Sequence, residues 1–449
     1  MTNLMNHNAG FEENIVGMSV TEPEDVLSLE EYLSKIQPAQ VFEPGTVCAY
    51  SNWGTSLAAY IVERVSGMHY YEYVRKYIFE PLGMKDTALS ADLKDNEDVR
   101  QRRLELKTYT TDVLEITPNI SYSSMYPAGM CTSTLGDMVR FAKALLDENT
   151  ILFKEKETYN ELFTATMYYD GTSKIRNCHG FWALEGYGTE LIGHNGVTSG
   201  CSSNLVLDLK NKRGMVIQTN QRNEQVYNFG MLYRIFGGNG RSLENYSGLI
   251  MSARSVFTGP LKLYSLFNIA SVENGNSPIL LVKRTNEGGI DRIDCAYGDY
   301  FVIDTGDIAT DIAVLALYGI SVLYAIINIL IYIIRRIVAL NKHKKIEKPM
   351  AGWCKLSCVL PLVPAIVGVL VIPTFLELQQ WPYLVYKILF FIIFMDILAM
   401  MVLVLYGIFK MIKCEMKKLR KAYVISMNIC MIMAVVSAIY WEWGMFWKV

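Results

Sequence analysis

The sequence lacks the features of a nucleic-acid-binding protein and of a metal site. Its 42 Lys and Arg residues are balanced by 44 Asp and Glu residues, which leaves a formal net charge of −2. A chain without a basic excess has no global field to attract a polyanion, so we expect no nucleic acid partner. The nine cysteines include no C-x-x-C pair, and no Cys/His cluster has zinc spacing. We therefore expect neither a metal ion nor a cofactor.

The first 30 residues lack a long apolar segment. They are rich in acidic residues and contain no apolar h-region, so they do not have the pattern of a secretory signal peptide. Internal repeats and low-complexity tracts are also absent from the sequence. The first 30 residues therefore do not predict export through a signal peptide.

Long apolar runs are present in the carboxyl-terminal third. Hydrophobic residues make up 51% of the chain and the mean hydropathy is +0.19, which is high for a water-soluble protein. About 20 apolar residues span the hydrocarbon core of a bilayer as a helix. Four runs have this character: 312–334, 356–376, 388–409 and 422–440. The sequence therefore predicts four transmembrane helices within residues 312–441, the second of them bent by Pro361, Pro364 and Pro373.

The basic residues of the connecting loops predict the orientation of these helices. The loops after the first and third runs hold Arg335, Arg336, Lys342, Lys344, Lys345 and Lys348, and Lys410, Lys413, Lys417, Lys418, Arg420 and Lys421, respectively. Loops rich in Lys and Arg stay on the cytoplasmic side of a membrane. We therefore expect a multi-pass cell-membrane protein whose residues before the first run are extracytoplasmic.

Asp396 is a carboxyl group inside the third apolar run. Its functional interpretation is a proton or ion relay, and its structural interpretation is a neutral or hydrogen-bonded group that faces the interior of a helix bundle. No other charged residue lies within any of the four runs. The structural interpretation is therefore favoured, and the lack of a polar pathway also argues against a transporter.

Residues 1–235 begin with helical patterns. Apolar residues repeat at helical spacing in SNWGTSLAAYIVERVSG, with Ser51 or Asn52 as the helix cap and Gly67 as the stop. Shorter helices are predicted at 28–36, at 70–80 ending before Pro81, and at 132–146 with Thr132 or Ser133 as the cap.

Strand patterns follow the helices. Residues 180–220 read as strands, and LVLDL and MVIQT form a hairpin through the turn KNKRG. This order predicts an α/β or α+β domain with an antiparallel sheet flanked by helices. Short strand-like runs broken by Gly and Asn predict a separate small β-rich module over 241–307, next to the membrane.

Three segments together resemble one enzyme family. They are FEPGTVCAYSNWG (42–54), YPAGMCTSTLGDMVRFAKALL (126–146) and IGHNGVTSGCSSNLVLDLKNKRGMVIQTN (192–220). In this order they resemble the class C β-lactamase-related serine hydrolases, a family of penicillin-binding DD-peptidases, class C β-lactamases and related esterases. NYSGLIMSARSVFTGPLKL (245–263), the four apolar runs and the terminal YWEW look like the membrane-anchored CubicO-type branch. The resemblance implies a β-lactamase/transpeptidase-like fold.

The resemblance implies acyl transfer to a serine. The family uses a Ser-x-x-Lys nucleophile, a Tyr-x-Asn motif and a Lys-Thr-Gly or His-x-Gly strand. It implies Tyr50, Asn52 and His194 as catalytic residues, and Gly196 and the Val197 backbone N–H as substrate-binding groups. A phenol has a pKa of about 10, so Tyr50 needs a cationic neighbour for proton transfer near neutral pH. The alternatives are a packed aromatic at Tyr50 and an ordinary loop histidine at His194.

The serine motif of the family is missing from the sequence. No serine is followed three residues later by lysine, and NLMNHNAGFEE (3–13) resembles the family segment LLTHTSGF that comes after the serine helix. We therefore expect that the chain is incomplete at its amino terminus, which also accounts for the missing export signal. The complete form is expected to act outside the cell on a peptidoglycan-like peptide, a β-lactam or a small ester or amide. The alternative is a non-catalytic membrane receptor or pseudoenzyme that binds cell-wall peptides.

Overall fold

The computed structural model describes residues 1–14, 16–148, 151–184, 186–238, 246–272, 282–286, 289–341, 352–376 and 381–448. The chain divides into two compact units. The first is built mainly from Met1–Ser255 and Leu266–Ile303, and the second from Val256–Ser265, Asp304–Glu377 and Trp381–Val449. The strand-rich stretch after residue 245 thus shares a compact unit with the residues that resemble the hydrolases. The first five positions of the predicted 241–307 module, 241–245, lie outside the described residues.

The helices of the first unit precede and flank a sheet. They are α1 Thr2–Met5, α2 Leu29–Lys35, α3 Asn52–Ser66, α4 Tyr70–Val74, α5 Glu80–Leu82, α6 Glu97–Glu105, α7 Leu135–Leu146, α8 Lys156–Leu162 and α9 Gly230–Phe236. A π-helical turn, Arg75–Phe79, joins α4 to α5. Short 3-10 turns occur at Pro23–Asp25, Tyr126–Ala128 and Lys262–Asn268.

The main sheet has six antiparallel strands, each paired with its neighbour in the chain. They are β1 Met167–Tyr168, β2 Ile175–Cys178, β3 Phe181–Leu184, β4 Leu191–Val197, β5 Ser202–Asp208 and β6 Arg213–Thr219. The predicted hairpin is confirmed as β5 and β6, whose register pairs Asp208 with Arg213. The mixed α/β class with an antiparallel sheet is thereby confirmed.

The alternation of side chains along β5 explains why helices cover both faces of this sheet. Leu205 and Leu207 pack in one cluster with Leu145 of α7. Val206, between them, packs in a second cluster with Leu232 of α9. Successive strand residues point to opposite faces, so a continuous apolar run needs an apolar partner on each side.

A second antiparallel sheet follows in the chain. Its strands are β7 Gly248–Ser252, β8 Ile269–Val272, β9 Val282–Asn286, β10 Gly289–Cys295 and β11 Gly298–Val302, in the spatial order β8-β7-β11-β10-β9. The predicted short strands are therefore present in this region. Residues 273–281, 287 and 288 of the predicted module lie outside the described residues.

Two predicted helix boundaries differ from the structure. Thr134 caps α7 by accepting a hydrogen bond from Asp137 N at 3.3 Å, whereas the backbone of Thr132 pairs with Ala88. Thr132 is thereby held in an extended bridge and cannot cap the helix. The helix after residue 70 also runs past Pro81, because the π-helical turn widens the backbone just before the proline ring. It ends at Gly83, which has a left-handed φ of 65°.

The second unit contains four helical segments long and apolar enough to cross a membrane, as predicted. They are α10 Thr305–Asn341, α11 Gly352–Val359 with α12 Val363–Leu376, α13 Tyr383–Lys413, and α14 Lys418–Tyr440. The second segment is interrupted by a 3-10 turn, Leu360–Leu362, at the predicted bend near Pro361. Asp396 is 5% exposed, a position that both interpretations of this residue allow, so its role stays a prediction. Lys342, Lys344, Lys345 and Lys348 lie outside the described residues.

Candidate functional site

Tyr50 is held in place by the start of helix α3. The adjacent Ser51 is the helix cap, and its Oγ accepts a hydrogen bond from Gly54 N at 3.0 Å. Ser51 N in turn donates to Nδ1 of His7 at 3.1 Å, while Ala49 N donates to the His7 carbonyl at 2.8 Å. The residues on both sides of Tyr50 are therefore anchored to His7, which fixes the direction of the Tyr50 side chain.

Four rings from distant parts of the chain meet at this point. The centroids of His7 and Tyr50 are 4.1 Å apart in a stacked pair, and those of His7 and Trp182 are 5.5 Å apart. His194 lies 6.2 Å from both Tyr50 and Trp182. We call His7, Tyr50, Trp182 and His194 the ring cluster. Two of the residues predicted to be catalytic, Tyr50 and His194, are thus brought together by the fold.

Both imidazoles of the ring cluster are neutral near pH 7. Burial, reinforced by His194 and Arg254, lowers the pKa of His7 to about 3. Burial also lowers the pKa of His194. Nδ1 of His194 lies 2.7 Å from the Asn195 carbonyl oxygen, which can only accept, so the proton sits on Nδ1. The other ring nitrogen, Nε2, then carries the lone pair.

Two opposite charges act on Tyr50. The guanidinium of Arg254 lies 4.8 Å from the centre of the Tyr50 ring and forms an ion pair with Glu13. Burial raises the pKa of Tyr50, Arg254 counteracts that rise, and Glu13 adds to it. Because burial dominates, the phenol keeps its proton near neutral pH and can donate it.

The remaining predicted site residues lie on α3 and β4. Asn52 is the first residue of α3, and its Nδ2 donates to Met18 Sδ at 3.5 Å. Gly196 and Val197 follow His194 on β4 and pair with Ser203 and Ser202. A Cβ atom at Gly196 would lie 3.1 Å from Ser203 Oγ, so a side chain at this position would crowd the neighbouring strand. The functional roles of Asn52, Gly196 and Val197 stay predictions.

Three residues at this site were not predicted from the sequence. His7 lies in the segment NLMNHNAGFEE, which carried part of the family resemblance. Its position beside Tyr50 is visible only in the fold. Trp182 lies in a run that was recognised as a strand, and Arg254 lies more than 200 residues from Tyr50. Within the described ranges, no group of three or more His, Cys, Asp or Glu side chains is arranged to hold a metal ion.

Comparisons with known proteins match the same part of the chain. A family model described as Beta-lactamase matches residues 1–238. The serine beta-lactamase-like protein LACTB, mitochondrial, of Homo sapiens is 37% identical over 106 residues, which are 23% of this chain and 18% of that protein. The putative penicillin-binding protein PbpX of Bacillus subtilis (strain 168) is 28% identical over 167 residues, 36% of this chain and 39% of PbpX.

Solved structures show a partial overlap. The D-amino acid amidase from Ochrobactrum anthropi SV3, complexed with D-phenylalanine, aligns with 25% identity and a TM-score of 0.40, over 50% of this chain and 73% of the amidase. The chain spans less than half the length of the curated relatives described above.

Proposed function

The chain belongs to the beta-lactamase family, and from this premise we propose that it carries the tyrosine and histidine side of a serine acyl-transfer site. The substrate class is a peptidoglycan-like peptide, a β-lactam or a small ester or amide. The observation that carries the proposal is the ring cluster, in which Tyr50 and His194 lie 6.2 Å apart within the matched residues.

Each residue has a distinct task in this proposal. Tyr50 passes a proton between the nucleophile and the leaving group as general acid and base, since its phenol is anchored and protonated at rest. His194 remains neutral and presents Nε2 as an acceptor. Asn52 binds the substrate amide, and the Val197 N–H donates to the carbonyl oxygen, which becomes negatively charged in the transition state.

The nucleophile is not supplied by these 449 residues in the family's usual form. No serine in the sequence is followed three residues later by lysine. A serine without a neighbouring base is a weak nucleophile at its ordinary pKa. The 449-residue chain therefore binds an acyl donor but does not form an acyl-enzyme by itself.

Fluorescent penicillin tests this proposal, because the relative PbpX is named as a putative penicillin-binding protein. We expect no covalent label on the purified 449-residue chain. A chimera that adds the Ser-x-x-Lys segment of a family member before Met1 is expected to become labelled. Tyr50→Phe in that chimera should slow labelling by about 100-fold or more, the usual contribution of a general acid or base.

The second candidate function is a receptor that binds cell-wall peptide without catalysis. It is favoured by the absence of a Ser-x-x-Lys motif from the sequence. If the chimera folds and binds a muropeptide but is never labelled, the receptor function replaces the hydrolase. Stoichiometric covalent labelling of the unmodified 449-residue chain would contradict both functions.

We also propose that the protein is a multi-pass cell-membrane protein with its first unit outside the cytoplasm. The basic residues between α13 and α14 support this orientation, since such loops stay inside. An impermeant maleimide distinguishes the two sides in a variant whose exposed Cys131 is replaced by serine: Glu105→Cys, at an exposed position of the first unit, should react in intact cells. The exposed Cys414, next to the basic loop, should react only after permeabilisation. The reverse pattern would invert the orientation.

A further inference from the structure

Arg254 reaches the ring cluster from the segment that follows strand β7. Its guanidinium carbon lies 4.8 Å from the centre of the Tyr50 ring, within the ~6 Å range of a cation–π interaction. Its Nε donates to a carboxylate oxygen of Glu13, whose side chain is 6% exposed. The Arg254 side chain is 42% exposed, so its charge lies at the border between the ring cluster and solvent.

The backbone around Arg254 is fixed by several hydrogen bonds. Arg254 N donates to Ser252 Oγ at 3.1 Å, and Glu13 N donates to the Ser255 carbonyl at 3.1 Å. Nδ2 of Asn268 donates to Ser255 Oγ at 2.9 Å and lies 3.3 Å from the Arg254 carbonyl. These bonds fix the backbone of Arg254, and the ion pair with Glu13 then holds its guanidinium beside Tyr50.

We propose that Arg254 is the positioning residue that supplies the cationic neighbour of the Tyr50 phenol in this chain. The inference rests on the proposed role of Tyr50 as a proton carrier, and it adds the residue that adjusts the proton affinity of the phenol. The groups that face the ring are His7, Trp182, His194 and Arg254. Among these described contacts, Arg254 is the group with a positive charge near pH 7.

The charge of Arg254 is balanced by Glu13. A positive charge near a phenol stabilises the phenolate and lowers its pKa, whereas a nearby carboxylate does the opposite. Glu13 therefore both holds Arg254 in place and limits its effect on Tyr50. Removal of Arg254 and removal of Glu13 should therefore shift the pKa of Tyr50 in opposite directions. A purely structural role of either residue does not predict opposite shifts.

The test is a direct titration of Tyr50 in the full-length chain in detergent. Tyrosine is labelled with 13C at Cζ, and Tyr50→Phe assigns the Tyr50 signal among the 28 tyrosines. We expect Arg254→Met to raise the pKa of Tyr50 and Glu13→Gln to lower it, each by about one pH unit. Arg254→Lys keeps the charge, so its titration should lie closer to that of the unmodified chain than that of Arg254→Met.

Two further variants keep the result interpretable. Arg234→Met removes an exposed arginine of α9 and should leave the Tyr50 titration unchanged. The double variant Glu13→Gln/Arg254→Met leaves no buried unpaired carboxylate, so it should fold even if Arg254→Met does not. Its Tyr50 pKa should lie between those of the two single variants. If folded Arg254→Met titrates like the unmodified chain, or if the double variant titrates like Glu13→Gln, the inference is wrong.

The result also separates this inference from the proposed function. The titration needs neither a serine nor turnover, so failure of the chimera to become labelled does not affect it. In a chimera that is labelled, Arg254→Met should move the basic limb of the labelling rate to higher pH by the same amount as the Tyr50 pKa. If the Tyr50 pKa moves and the rate profile does not, Arg254 adjusts the phenol but Tyr50 is not the proton carrier.

Discussion

Buried charged side chains of the two units differ in the partners that surround them. In the first unit, the buried Arg176, 1% exposed, has two charged partners: it donates to Asp299 at 2.6 Å and lies 3.7 Å from Asp294. In the second unit, both carboxylate oxygens of Asp396 lack a hydrogen-bond partner among the residues that the structure describes. The buried charge of Arg176 is therefore compensated by neighbouring carboxylates, whereas Asp396 has no described hydrogen-bond partner.

Hydroxyl groups of the second unit are bonded to helix backbones instead. Ser321 donates to the Cys430 carbonyl at 2.8 Å, Ser437 to the Val314 carbonyl at 3.0 Å, and Tyr318 to the Pro361 carbonyl at 3.0 Å. A helix satisfies its own backbone groups, so its carbonyls can accept a second bond from a neighbouring helix without loss of structure. Charge pairing therefore stabilises the first unit, whereas hydrogen bonds from hydroxyl groups to backbone carbonyls join the helices of the second.

The largest expected effect tests the charge pairing of the first unit. Arg176→Met leaves the buried Asp294 and Asp299 with Arg292 as their remaining cation, at 3.6 and 3.5 Å, so it should lower the free energy of unfolding by about 3 kcal/mol. Chemical unfolding followed by tryptophan fluorescence in detergent measures this loss. Arg102→Met is the matched control, because its ion pairs are exposed and screened by solvent and should contribute little to stability. Equal losses in the two variants would contradict the comparison.

A smaller effect is expected from the pH dependence of the first unit. The pKa of His7 is about 3 in the folded chain and 6.5 as its ordinary value, so the unfolded state binds the proton more readily. The contribution of neutral His7 to stability is fully present above pH 6.5 and is lost as the pH falls from 6.5 towards 3.

His7→Phe removes this titration while keeping an aromatic ring beside Tyr50. The unmodified chain should therefore lose stability more steeply than the variant over this range, by at most about 1.4 kcal/mol for each pH unit. Other carboxylates titrate in both proteins, so the difference between the two curves isolates His7. Parallel curves would show that His7 accepts its proton without unfolding the chain.

The smallest expected effect is in the second unit. Asp396→Asn keeps the shape of the side chain and removes a carboxyl that has no described hydrogen bond, so the thermal midpoint should change by only a few degrees. Asp299→Asn, the matched change in the first unit, weakens the bond to Arg176 and should cost clearly more. If Asp396→Asn instead abolishes a proton or ion flux while the helices stay folded, the relay interpretation of Asp396 is correct.

Local sequence patterns predicted much of the fold. The α3 helix is capped by Ser51 at its start and by Gly67, whose φ is 70°, at its end. Both caps could be predicted because they depend only on the residues next to the helix ends. The β5–β6 hairpin and the four apolar helices followed from periodicity and length in the same way. The cap of α7 was predicted wrongly, since three successive hydroxyl residues, Thr132, Ser133 and Thr134, are equivalent by propensity. A pairing with Ala88 excludes Thr132 from that role.

The sequence by itself determined the family resemblance, the apolar helices and the candidates Tyr50 and His194, because short motifs and periodicity are local properties. Only the tertiary structure decided what surrounds Tyr50. His7, Trp182 and Arg254 approach it from segments up to 204 positions away, and no local pattern encodes such an approach. The proton affinity of a side chain depends on burial and on charges within a few ångströms, so the chemistry of Tyr50 is a property of the folded chain.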